Sequence, residues 1–128
     1  MAGLSLLLLA GCRELQRPSS ADNLKATVLH LDTFVINARD PEAHSFLKIG
    51  IDLVVQAKQN SDADSSGGVL VPAARDAIIS VLTSARSDDL LLPAGKAKLK
   101  ADLLKTLQDR LPAAGIHDVY FTEFLIQR

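Results

Sequence analysis

The chain has 128 residues and a formal charge of −1, with 14 lysines and arginines against 15 aspartates and glutamates. That length suits one compact domain, and 48% hydrophobic with 23% charged residues excludes a chain that is disordered throughout. Near-cancelled charge and 4% aromatics argue against a nucleic-acid partner, which demands clustered positive charge and stacking side chains. The single cysteine rules out intramolecular disulfides.

The chain opens on an apolar run, AGLSLLLLAG at Ala2–Gly11, followed by Cys12 and Arg13. A bilayer-spanning helix takes about 20 apolar residues. This run is too short for that and has the size of the apolar region of a secretory signal. Leu9-Ala10-Gly11-Cys12 resembles a bacterial lipobox, which implies cleavage after Gly11 and a lipid on the Cys12 sulfur. No lysine or arginine precedes the run, so either the true start lies upstream or the N-terminal amine supplies the charge. A remnant of a longer transmembrane anchor and a chance cysteine behind a hydrophobic tip are the other two readings. Lipid or anchor would place the following domain outside the cytoplasm. A lipid on Cys12 would allow attachment to either membrane, and by analogy with lipoprotein sorting Arg13, not an aspartate, after the cysteine leaves the outer membrane open. Residues Arg13–Lys25 (RELQRPSSADNLK) are polar and aperiodic, as a tether is. The expected division is 1–12 signal or anchor, 13–27 flexible tether and 28–128 domain.

Within the domain, Leu29–Asn37 (LHLDTFVIN) is rich in β-branched and aromatic residues and predicts a strand. Leu29, Leu31 and Val35 are expected on one face, with Phe34 and Ile36 on the other beside His30 and Asp32. Asp40-Pro41 marks a turn. Phe46–Gln56 (FLKIGIDLVVQ) alternates strictly, as a strand with one packed face requires, and the short intervening loop predicts an antiparallel hairpin. Lys58–Gly68 reads as a polar loop. Pro72 suits the first turn of a helix reaching about Ser84, with Ala74, Ile78, Val81, Leu82 and Ala85 at helical spacing. A second helix is expected over Ala94 to about Leu111, with the stripe Leu99, Leu103, Leu107 and Leu111, ended by Pro112. Ile116–Gln127 (IHDVYFTEFLIQ) returns to strand character with both faces apolar, which predicts a central or covered strand. The order β-β-α-α-β predicts an α+β fold, two amphipathic helices covering one face of a three-stranded antiparallel sheet.

Chemistry is sparse. His30, His44 and His117 have no metal-ligand neighbours at the usual spacings, although His30 and His117 could meet if the outer strands paired. No strained serine turn, cysteine–histidine pair or phosphate-cradling glycine loop is present. Asp62, Asp64, Ser66 and Gly67 match the opening of a calcium loop, but its twelfth position falls on Ala73 rather than a bidentate glutamate. A flexible acidic loop is the preferred reading. Lys96, Lys98 and Lys100 read as a solvated helix face, with Lys98–Asp102 and Lys105–Asp109 as i,i+4 pairs. An enzyme would have to bring His30, Asp32, His117 and Glu123 together from distant positions. No catalytic, cofactor or metal residue is assigned.

Several stretches resemble the periplasmic domain of the flagellar basal-body-associated FliL family: LDTFVIN (Leu31–Asn37), FLKIGIDLVV (Phe46–Val55), VPAARDAIISVLTSARSDDLL (Val71–Leu91), PAGKAKLKADLLKTLQDRLP (Pro93–Pro112) and DVYFTEFLIQ (Asp118–Gln127). Arg75–Ile79 and Val119–Phe124 are the most specific of them. The resemblance implies a fold similar to stomatin-like domains and a non-enzymatic, cofactor-free role beside the flagellar motor. It further implies association with the stator and basal body, support of torque and motility, and homo-oligomeric assembly. Family members usually carry one transmembrane helix after a short basic segment, where this chain has AGLSLLLLAGC. That difference keeps a second reading open, an envelope lipoprotein with this domain acting as a ligand-binding or envelope-maintenance module outside the motor.

Overall fold

The computed structural model describes residues 25–41, 44–57 and 63–128. Strands β1 (Lys25–Asn37), β2 (Phe46–Ala57) and β3 (Ile116–Gln127) form one sheet in the order β1-β2-β3, both pairings antiparallel. Between β2 and β3 come helices α1 (Ala63–Leu82), α2 (Ser87–Leu90) and α3 (Pro93–Arg110), then a 3-10 turn at Pro112–Ala114. The α+β sandwich is as expected. The strand β1 takes in Lys25–Thr27, which the sequence assigned to the tether.

The core is a set of rows running across the sheet. Leu47, Ile49, Ile51 and Leu53 of β2 are fully enclosed. On one side their partners are Ile36, Phe34, Leu31 and Leu29; on the other they are Ile126, Phe124, Phe121 and Val119. A further row joins Thr27, Val55 and Ile116. Against this face lie Ala74, Ala77, Ile78 and Leu82 of α1 and Leu99, Leu103 and Leu107 of α3. Full burial of one such side chain contributes roughly 1.5–3 kcal/mol.

These rows correct two expectations. In β1, Phe34 and Ile36 share the inner face with Leu29 and Leu31, while Val35 points outward and is 64% exposed. The cause is a bulge. Leu31 pairs with Ile51 and Phe34 with Ile49, so β1 holds one residue more than β2 between those pairs. An extra residue reverses the inward–outward alternation once. In β3 the same device occurs twice, at His117 between the partners of Val54 and Val55 and at Thr122 between those of Gly50 and Ile51. The two-sided apolar pattern of β3 is therefore a one-sided pattern with two phase changes, and β3 is an edge strand. The central strand is β2. Gly50 serves the second bulge, because a Cβ there would run into Thr122 Oγ1.

The first helix also begins earlier than expected. It starts at Ala63, so Pro72 lies inside it and part of the expected 58–68 loop is helical. An internal proline lacks the N–H that would bond the carbonyl four residues back and costs about 3 kcal/mol relative to alanine. What fixes α1 is its second half, where Ala74, Ala77, Ile78 and Leu82 are all buried. Of the calcium-like pattern, Asp64, Ser66 and Gly67 fall on the helical backbone, and Asp62 lies outside the described residues.

The third helix follows its sequence closely. Pro93 occupies the first turn after an extended Leu92, and Pro112 stops the helix beyond Leu111. Gly115 then turns the chain into β3 with a left-handed φ of 62°, and its carbonyl accepts the Gln56 N–H at 2.8 Å. At the other end of α3, Gly95 is needed because a side chain there would strike the Asp89 carbonyl of α2.

Two variants test the role of the bulges. Deleting Thr122 leaves Phe121 and Phe124 on the inner face, so the fold should persist with a change within about 1 kcal/mol. Leu103→Ala, by contrast, empties a fully enclosed position and should cost about 2–5 kcal/mol. Urea unfolding of both, side by side, measures the contrast.

Candidate functional site

The sequence's candidate catalytic residues are not assembled. His30 sits on β1 and His117 on β3, and β2 separates the two strands, so the pairing that could have joined them does not occur. His30 Nδ1 instead contacts Asp52 Oδ2 of β2 at 2.9 Å on the outer face. Glu123 pairs with Lys48 at 2.9 Å. His44 is exposed in the β1–β2 loop. Among the described residues, no group of three or more histidine, cysteine, aspartate or glutamate side chains is placed to hold a metal ion. Gly11 and Cys12 lie outside the described residues.

What the geometry does assemble is a set of polar clips between elements. Arg75 of α1 donates to the Asp32 carbonyl at 3.2 Å, and its guanidinium carbon stands 4.4 Å from the centroid of the Phe34 ring. Asp32 lies within the β1 bulge and Phe34 borders it, where the ladder is interrupted and backbone groups need other partners. Arg75 thus fastens helix to sheet at an interruption of the β1–β2 ladder.

A second clip joins the β1–β2 loop to the turn between α1 and α2. The Arg39 N–H donates to the Ala85 carbonyl at 3.0 Å, and Asp40 Oδ1 accepts the Ser87 N–H at 3.1 Å. Hydrogen bonding from Ser87 holds the Asp40 carboxyl below its ordinary value, against partial desolvation, which acts to raise it. The buried Ser45 hydroxyl lies close enough to lower it further, though outside good hydrogen-bond geometry. Nearby, Arg128 pairs with Asp88 of α2.

The lysine run divides in two. Lys98–Asp102 at 2.5 Å and Lys105–Asp109 at 2.6 Å are the expected i,i+4 pairs, and hydrogen bonding to each aspartate raises the lysine's pKa. Lys96 and Lys100 turn back onto β3. Lys96 Nζ stands 4.9 Å from the Phe124 ring centroid; Lys100 Nζ lies 3.3 Å from Asp118 and 5.1 Å from the Tyr120 ring centroid. The Asp118 carboxyl is lowered chiefly by the Val119 N–H, with Lys100 adding to the effect. Sequence reasoning treated Lys96, Lys98 and Lys100 as one solvated face and missed the turn of Lys96 and Lys100 onto β3. Their positions four apart, opposite an aromatic strand, were the available signal.

Two open surfaces stand out among the described residues. The outer sheet face carries exposed Val35, Phe46 and Leu125 around Lys48. A groove of about 500 Å³ lies where α1 ends and α3 begins, floored by Val81, Leu90 and Leu99 and rimmed by Arg86, Asp89 and Lys98. No helix among the described residues is long and apolar enough to cross a membrane.

Fold and polar clips together define a two-layer α+β domain whose charged residues mainly join its own elements. Residues 28–127 match the model of the family described as flagellar basal body-associated protein FliL. The chain is also 37% identical over 94 residues to a flagellar protein FliL of Aquifex aeolicus (strain VF5). That alignment covers 73% of this chain and 56% of the relative, so the chain spans little more than half the length of the curated protein it matches. The chain belongs to the FliL family.

Both most specific stretches have a physical reading. In Arg75–Ile79, Arg75 holds the bulge, Asp76 lies 3.7 Å from Arg110 of α3, and Ala77 and Ile78 are buried. In Val119–Phe124, Phe121 and Phe124 pack with ring centroids 5.6 Å apart across the Thr122 bulge.

Arg75→Ala removes a charge-assisted hydrogen bond and a stacked cation, and should lower stability by about 1–3 kcal/mol. Arg75→Lys should restore little, since lysine lacks the planar fork. Denaturant midpoints of the two variants check this. For Asp40 the depressed folded-state pKa means that its contribution is present above the ordinary carboxylate range and is lost as pH falls through the folded value. The thermal midpoint of the wild-type chain should therefore exceed that of Asp40→Asn at pH 7, with the gap closing below about pH 4.

Proposed function

We propose that this chain is a non-enzymatic module of the flagellar basal body that supports stator function, torque and bacterial motility from the periplasmic side. The observation that carries the reading is the extent of the family match. It runs from Val28 in β1 to Gln127 at the end of β3 and so takes in all of the sandwich but the first three residues of β1. The engagement of most charged side chains in contacts within the fold favours a scaffold over a catalyst. In this reading the domain is held to the membrane through Cys12 or an N-terminal anchor. Neighbouring copies stand side by side and brace a mobile stator component, and partner contacts fall on the open surfaces rather than on the clips.

Crosslinking in living cells, followed by antibody capture and mass spectrometry, tests the proposal. Stator proteins among the captured partners are the expected result. Capture of only other envelope proteins, from cells with working flagella, would overturn it in favour of an envelope lipoprotein outside the motor. For the anchor, Cys12→Ser should move the protein from the membrane fraction to the soluble fraction if the lipid alone holds it.

A further inference from the structure

The two ends of α1 are built from different material. From Val71 onward the helix presents an apolar stripe to the core, with Ala74, Ala77, Ile78 and Leu82 buried. Continued toward the N-terminus by steps of three and four from Leu70, that stripe reaches only Gly67 and Ser66. In the preceding turn Leu70 is half-buried and Val69 is 74% exposed. Gly67 and Gly68 are poor helix formers, and Pro72 leaves the Gly68 carbonyl without its helical donor. A helical turn without a packed face depends on intrinsic propensity, and short helices in water are marginal even with favourable residues.

We propose that Ala63–Val71 is a conditional extension of α1, exchanging between the helix described above and a coil that leaves Pro72 as the first helical residue. The buried stripe takes no part in this exchange, because Ala74, Ala77, Ile78 and Leu82 lie beyond the segment; Val71, half-buried at the margin of the core, is the segment's last residue. As helix the nine residues span about 13 Å, and as extended chain they reach about 30 Å. The Ala63–Val71 segment is thus a strap of variable length leading into the packed part of α1. Any contact that covers Val69 shifts the strap toward its short, ordered form.

Amide hydrogen exchange on the full chain reads this directly. Amides of residues 66–71 should exchange within about tenfold of the unstructured rate, while those of 78–82 are at least a hundredfold slower. Gly68 is a clean probe, since a Cβ there meets nothing within 4 Å. Gly68→Ala should slow exchange in 66–71 by up to about fivefold, and Pro72→Ala by up to about a hundredfold, with the exchange of 78–82 unchanged. Protection of 66–71 equal to that of 78–82 in the wild-type chain overturns the proposal. So does an unchanged rate in 66–71 when Pro72→Ala is folded, as judged by an unaltered thermal midpoint.

Discussion

Everything in this domain depends on keeping one face of three strands apolar along their whole length. β2 achieves this by uninterrupted alternation: Leu47, Ile49, Ile51 and Leu53 all point to the helices. The edge strands do not alternate cleanly, and each would turn part of its apolar set to solvent if it paired residue for residue. The bulges absorb the mismatch, one in β1 and two in β3. An irregular ladder costs hydrogen bonds at each bulge, but the alternative exposes residues such as Phe34 and Phe124. Burial of those side chains outweighs the local loss.

This same constraint decides what could be read from sequence. β2 was legible because a period of two survives along it, and α3 because its leucines recur every four residues between two prolines. β1 was placed with three residues, Phe34, Val35 and Ile36, assigned to the wrong face, since nothing in DTF announces an extra residue between Leu31 and Phe34. In β3, Val119, Phe121, Phe124 and Ile126 do not fit one strict alternation. They read as a strand buried on both faces and therefore as a central one. Periodicity assumes a regular ladder, and a bulge is a tertiary decision made by the neighbouring strand. Pro72 misled for a related reason: its local preference for a first turn does not forbid helix before it.

Polar residues show a similar division. The i,i+4 lysine–aspartate pairs were legible because both partners lie on one helix. Arg75 with Asp32, Lys100 with Asp118 and Asp40 with Ser87 were not, because each joins elements distant in sequence. Family resemblance had singled out the stretch beginning at Arg75, and the structure supplies the reason: its guanidinium spans a backbone carbonyl and an aromatic ring at the β1 bulge.

The placement of that clip bears on how the domain carries mechanical load. β1 is an edge strand, and the chain enters it at Lys25, opposite the last residue of β2. Tension along the strand axis is shared by the whole β1–β2 ladder, whereas tension across it peels the ladder pair by pair from Lys25 and Ala57. Peeling first releases Lys25–Val28, whose side chains are exposed, and then has to withdraw Leu29 and Leu31 from the core. It then meets the bulge, where further opening must also break the contacts of Arg75 and withdraw Phe34 from the core. The strand therefore has a yielding portion and a locked one, and an edge that gives over its first four residues can lengthen under pull without opening the sandwich behind it.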